Sequence, residues 1–125
     1  MAELLAVYGT LMTGLALPHQ PAEVEKALRL RGPCRIPGRL YDMRVGYPAL
    51  TGGEGEVAGE LYEVVESGVL EVLDAYEPPP YERRLVRLVE PDVQAWVYVY
   101  ADALPAEDLI DEADWRAFVA VRGER

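Results

Sequence analysis

Glu77 lies in VLEVLDAYEPPPYERR, residues 69–84, at a point where a charge is out of place. Val69–Tyr76 carries the spacing of a short amphipathic helix, with Ser67 placed to cap its start. At ~100° per residue, Leu70, Leu73 and Glu77 fall within roughly 60° of one another. Glu71 and Asp74 point elsewhere, as surface carboxylates do. Three prolines follow, and a residue before proline is pushed out of helical geometry. A carboxyl on the apolar stripe, beside the negative end of a helix, is disfavoured as an anion. Its pKa should rise towards neutrality, which suits a general acid/base. The plainer alternative is a frayed helix end, with Glu77 in water or paired with Arg83 or Arg84.

A second candidate is VYGTLMTG, residues 7–14. An apolar run ends in Gly9-Thr10, where glycine permits a sharp turn and close approach of a ligand. Successive amides after such a turn can converge on an oxygen or a carboxylate. The Lys-Ser/Thr ending of a P-loop is missing. An ordinary strand-to-loop transition is the alternative. Tyr47 and Tyr81 are aromatic residues expected in loops, where each could line a pocket or simply cover the core.

The remaining chemistry is sparse. His19 is the only histidine, in a loop, which removes most Ser-His or Cys-His machinery. Cys34 is the only cysteine, flanked by Pro33 and Arg35 in a turn-like stretch. No intramolecular disulfide and no cysteine-rich zinc site can be built. We expect no metal and no cofactor.

The 125 residues suit a single domain, 1–125, with one core. Half of them are hydrophobic and 27% are charged, as in a globular protein. The 22 acidic and 12 basic residues give a formal net charge of -10. That opposes nucleic acid, whose phosphates need a basic surface, and equally an anionic membrane. A small anionic substrate remains compatible, because local amides can hold it. Leu4–Leu17 has no basic residue before it and is broken by Gly9, Thr10, Thr13 and Gly14. It therefore does not resemble a signal peptide, and the expected location is cytoplasmic. Oligomeric state is not legible.

Positioning such residues requires a frame. Leu4–Tyr8 reads as a strand buried on both faces. Ala22–Arg31 has helical spacing at Val24, Ala27 and Leu28, between Pro21 and Gly32. Gly38–Met43 and Val57–Val64 read as short strands joined by a Gly-rich connection, 46–55. Arg83–Val89 and Ala95–Tyr100 should pair as an antiparallel hairpin around Pro91-Asp92. A last helix is expected over Glu112–Val121, with Trp115, Phe118 and Val119 as its buried stripe. The class is α+β, with a curved or closed, mostly antiparallel sheet.

In order, AVYGTLMTG, GRLYDM, YPAL, VAGELYEV, VLDAYEPPPYERRLV and AWVYVY resemble the gamma-glutamyl cyclotransferase-like family over roughly residues 4–100. The resemblance is nearest to the branch that includes gamma-glutamylamine cyclotransferase. Pro78 departs from it, since relatives commonly carry Gly after the Glu. The resemblance implies a small mixed, mostly antiparallel β-barrel with flanking short helices. It implies Glu77 as catalytic acid/base, and Tyr8, Gly9, Thr10 and Leu11 as the grip on the glutamyl group, largely through backbone amides. Tyr81 falls at the family's aromatic position after that Glu. The implied reaction is closure of a γ-glutamyl compound to 5-oxoproline with release of an amine. Removal of a γ-glutamyl protecting group in a biosynthetic pathway, and a non-catalytic module binding a small carboxylate, are the alternatives.

Overall fold

The computed structural model describes residues 3–9, 26–43, 48–66, 68–77, 79–111 and 113–122. The elements are β1 (Glu3–Val7), β2 (Leu28–Asp42), β3 (Pro48–Val64), α1 (Gly68–Tyr76), β4 (Tyr81–Arg87), β5 (Gln94–Tyr100), a 3-10 turn (Ala106–Asp108) and α2 (Trp115–Arg122). The sheet order is β2-β3-β1-β5-β4. β1 is central, antiparallel to β3 and parallel to β5. Its Leu5, Ala6 and Val7 are buried, as a strand covered on both faces requires. β4 and β5 form the expected antiparallel hairpin, from Tyr81↔Tyr100 to Arg87↔Gln94.

The mixed sheet curls into a barrel-like form that is not closed by a full ladder. A single antiparallel bridge, Arg35↔Glu90, links β2 to the turn after β4. There the Arg35 N–H donates to the Glu90 carbonyl at 2.7 Å, and the Val89 N–H donates to the Arg35 carbonyl at 3.0 Å. Leu5, Ile36, Leu40, Leu50, Val57 and Val97 fill the interior. Val69, Leu70 and Leu73 of α1 close one side of it. Asp114 caps α2, accepting from the Ala117 N–H at 3.2 Å. Trp115 is buried and stacks on Phe118 at 5.4 Å, with Phe118 and Val119 half-buried against the core. The helix begins later than the expected Glu112: Glu112 lies outside the described residues, Ala113 has φ 53° and Asp114 is the cap, so α2 starts at Trp115.

Two expectations are corrected. The helix expected over Ala22–Arg31 is helical only at Lys26 and Ala27 among its described residues, and from Leu28 the chain is strand. Leu28, Arg29 and Leu30 pair with Val64, Glu63 and Tyr62, so a ladder with β3 overrides a weak helical spacing. Gly32 marks a register shift with φ +142° instead of ending a helix. The second correction concerns 46–55. Its described part, Pro48 onward, belongs to β3. Pairing passes from Pro37↔Glu56 to Arg39↔Thr51, so 52–55 bulge out of the ladder. A Cβ on Gly38 would sit 2.4 Å from the Thr51 carbonyl oxygen, and one on Gly55 2.8 Å from that of Gly38. The glycines let two long strands bend together, where their composition had suggested a loop between short ones.

Gly59 is a further close approach, and it yields a test. A Cβ there would lie 2.5 Å from the Val7 carbonyl oxygen and 3.0 Å from Ile36 Cδ1. Gly59→Ala should cost about 1–3 kcal/mol through overpacking, read as a lowered denaturant midpoint. An unchanged midpoint would contradict this packing of β3 on β1.

Candidate functional site

The end of β1, the start of β3, the end of α1 and the start of β4 meet at one place. The Glu77 N–H donates to the Leu73 carbonyl at 3.1 Å, so Glu77 closes the last turn of α1. That turn keeps Glu77 near the apolar stripe of Leu70 and Leu73, half-buried, and burial pushes its carboxyl above the ordinary value. Neither nearby arginine pairs with it. Arg83 binds Asp74, and Arg84 binds Glu82. Among the described residues, no ion pair involves Glu77.

Tyr8 follows β1 and is buried. Its hydroxyl donates to the Tyr98 carbonyl at 2.6 Å. Burial raises the Tyr8 phenol well above its usual range, and the charges of Glu77 and Tyr81 add to this. A backbone hydrogen bond from Leu50 works the other way. The carboxyl of Glu77 is thus close enough to act on Tyr8. It acts on Tyr98 as well, whose phenol is raised chiefly by burial, then by its bond to Asp74.

Tyr81 opens β4 and does not lie in a loop. Its hydroxyl donates to the Pro48 carbonyl at 3.1 Å, and its ring meets Tyr100 edge-on at 5.0 Å. Pro48 also packs on Gly9, where a Cβ would stand 2.8 Å from Pro48 Cδ and 2.9 Å from Cγ. The structure therefore brings together Tyr8, Gly9, Glu77 and Tyr81. Thr10, Leu11 and Tyr47 lie outside the described residues, as does His19. Cys34 is placed elsewhere. It sits inside β2 and not in a turn, and its thiol is pushed up to about 12, mainly by burial. Among the described residues, no group of three or more His, Cys, Asp or Glu side chains could hold a metal ion. Nor is any helix among them long and apolar enough to cross a membrane.

Pro48, Leu50, Asp74 and Tyr98 also belong to this neighbourhood. Asp74 read as a surface carboxylate, yet it accepts from Tyr98 and Arg83. No local signal announces this, because both partners come from strands later in the chain.

This arrangement of strands and helix ends has known counterparts. Residues 5–117 match the family described as gamma-glutamyl cyclotransferase, AIG2-like, and the chain belongs to that family. It is 37% identical over 91 residues to a Halalkalibacterium halodurans protein provisionally named a gamma-glutamylcyclotransferase, covering 66% of this chain and 81% of that one. It is 31% identical over 125 residues to the gamma-L-glutamyl-butirosin B gamma-glutamyl cyclotransferase of Niallia circulans, covering 91% and 76%. A crystal structure of an AIG2-like protein from Mus musculus superposes with a TM-score of 0.65 at 29% identity, covering 83% and 80%.

Proposed function

We propose that this chain is a gamma-glutamyl cyclotransferase with Glu77 as its acid/base. The observation that carries the reading is a half-buried carboxyl at the end of α1, in no ion pair among the described residues and close enough to raise the Tyr8 phenol just after β1, in a chain of this family. The substrate's α-amine attacks its own γ-carbonyl carbon, and a new C–N bond closes the five-membered lactam. The α-ammonium has a pKa near ~8, so one base suffices to free its lone pair. Glu77 takes that proton and passes it to the departing nitrogen as the original amide bond breaks, and the attacking nitrogen gives up a second proton on becoming the lactam N–H, so the amine leaves as its ammonium. The products are 5-oxoproline and a free amine, and no water is consumed. Ring closure is assisted by proximity, because the nucleophile and the carbonyl share one molecule. Backbone amides at Gly9 and Thr10 would hold the glutamyl carboxylate or the developing oxyanion.

A second reading has support from the relative named for gamma-L-glutamyl-butirosin B. By the same chemistry, the chain would remove a γ-glutamyl protecting group from a larger amine. One experiment ranks these readings and the non-catalytic one. The protein is incubated with γ-glutamyl amines, dipeptides and gamma-L-glutamyl-butirosin B, and 5-oxoproline is measured by mass spectrometry. We expect turnover of at least one class. Tight binding of glutamyl compounds with no 5-oxoproline from any would replace the enzyme reading with the binding module.

The pH profile should carry the mark of the raised carboxyl. Glu77 must be ionised to accept the amine's proton, so kcat/KM should fall as pH drops through its value in the free folded protein. That acid limb should lie above the 4.5 of an ordinary glutamate. A limb at or below 4.5 would remove Glu77 from the role of base.

A further inference from the structure

We propose that Asp74 positions Glu77, by locking the last turn of α1 onto β4 and β5 through Arg83 and Tyr98. The inference rests on the reading of Glu77 as acid/base. Asp74 precedes Glu77 by about one helical turn. Its Oδ1 accepts from the Tyr98 hydroxyl at 2.7 Å and from Arg83 Nε at 2.8 Å. Its Oδ2 accepts from the second arm of Arg83 at 3.0 Å. A bidentate fork fixes direction as well as distance. Arg83 is itself held, 4.5 Å over the Trp96 ring, and the Trp96 indole donates to Glu3 at 3.0 Å. Three strands thus fix the point to which α1 is tied.

Tyr98 makes the tie specific to the site. Its side chain holds Asp74, while its backbone carbonyl accepts the Tyr8 hydroxyl. One strand residue therefore sets both the end of α1 and the phenol that faces Glu77. The charge of Glu77 raises both Tyr8, just after β1, and Tyr98 of β5, so its carboxyl lies near both phenols. Asp74 takes up the charge of Arg83 directly. The pair is well exposed on the Asp74 side, and as a stability element alone it is worth little.

The test uses the full chain and four variants, Asp74→Asn, Tyr98→Phe, Glu77→Gln and Asp74→Asn/Glu77→Gln. Steady-state kinetics are combined with 13C NMR titration of the Glu77 carboxyl, the last two variants providing its assignment. Asp74→Asn should lower kcat by about 10–100-fold, the scale of a misplaced catalytic group. KM should stay within about twofold, since no contact to substrate is removed. The Glu77 titration midpoint should move to lower pH, towards the ordinary glutamate value, because a last turn released from β4 and β5 leaves its carboxyl better solvated. Tyr98→Phe should lower kcat with a smaller shift, because the ion pair survives. Wild-type kcat and an unmoved midpoint in Asp74→Asn would overturn the proposal. If that variant does not fold, wild-type kcat in Tyr98→Phe overturns it instead. Failure of the underlying reading is separate: it is full turnover in Glu77→Gln. In that event the midpoint in Asp74→Asn still decides whether Asp74 holds Glu77 in its half-buried place.

Discussion

Glu77→Gln should lower turnover by about 10²–10⁴-fold, the usual worth of a general acid/base. Gln keeps the size and the hydrogen-bonding capacity of the side chain but cannot carry the proton. KM should change little, because the proposed grip on the glutamyl group lies at Gly9 and Thr10. Stability gives an independent reading. Burial raises the carboxyl, so the folded state prefers Glu77 neutral. Its favourable contribution is complete below the unfolded-state value and is lost as pH rises through the folded one. At neutral pH the wild type therefore keeps a poorly solvated anion that Gln removes. The variant should melt at or slightly above the wild type at pH 7, and the difference should vanish below about pH 4. Melting temperature and turnover measured on one preparation separate the two roles. Full activity in the variant would end the catalytic assignment, whatever the melting curve shows.

How far Glu77 could be read from sequence depends on which partner is considered. Its place on the apolar side of α1 follows from the positions of Leu70 and Leu73, and burial in the structure agrees with it. Its separation from Arg83 and Arg84 does not follow. Both arginines lie within seven residues along the chain, and only the fold shows that Asp74 and Glu82 take them. Its electrostatic effect on Tyr8 is equally non-local, since it joins the end of α1 to the residue after β1.

The frame divides in the same way. Runs with one clear period are legible: Leu4–Tyr8 as a two-sided strand, the β4–β5 hairpin, α1 and α2. The β2–β3 ladder is not, because Pro33, Pro37, Gly38 and Gly52–Gly55 look like breakers when read locally. In the sheet Pro33 pairs in register with Glu60, Pro37, Gly38 and 52–55 stand at a register shift, and Gly38 and Gly55 sit at backbone approaches too close for a Cβ. Strand pairing there is decided by a partner some twenty residues away, which no local window contains. The same limit hid the strand at Leu28, where pairing with Val64 wins over helical spacing.

Gly9 presents two possible reasons for being glycine, and a pair of substitutions separates them. Close approach of a substrate is one. The other is in the structure: a Cβ would meet Pro48 at 2.8 and 2.9 Å. A proline ring cannot swing aside, and Pro48 also carries the carbonyl that Tyr81 binds. Gly9→Ala should therefore cost about 1–3 kcal/mol and disturb Tyr81. Loss of binding in that variant alone would be ambiguous, and Gly9→Val, with its larger side chain, would be more so. Pro48→Ala removes Cγ and Cδ, the two atoms that collide. Gly9→Ala/Pro48→Ala should then recover most of the lost stability relative to Pro48→Ala alone. If Gly9 is bare so that the glutamyl group can reach its backbone, the double variant should still bind glutamyl analogues at least about tenfold more weakly than Pro48→Ala, the effect of blocking a close approach. Calorimetric titration of the three variants and the wild type gives the answer. Affinity that returns together with stability would assign Gly9 to packing and remove it from the proposed substrate cradle.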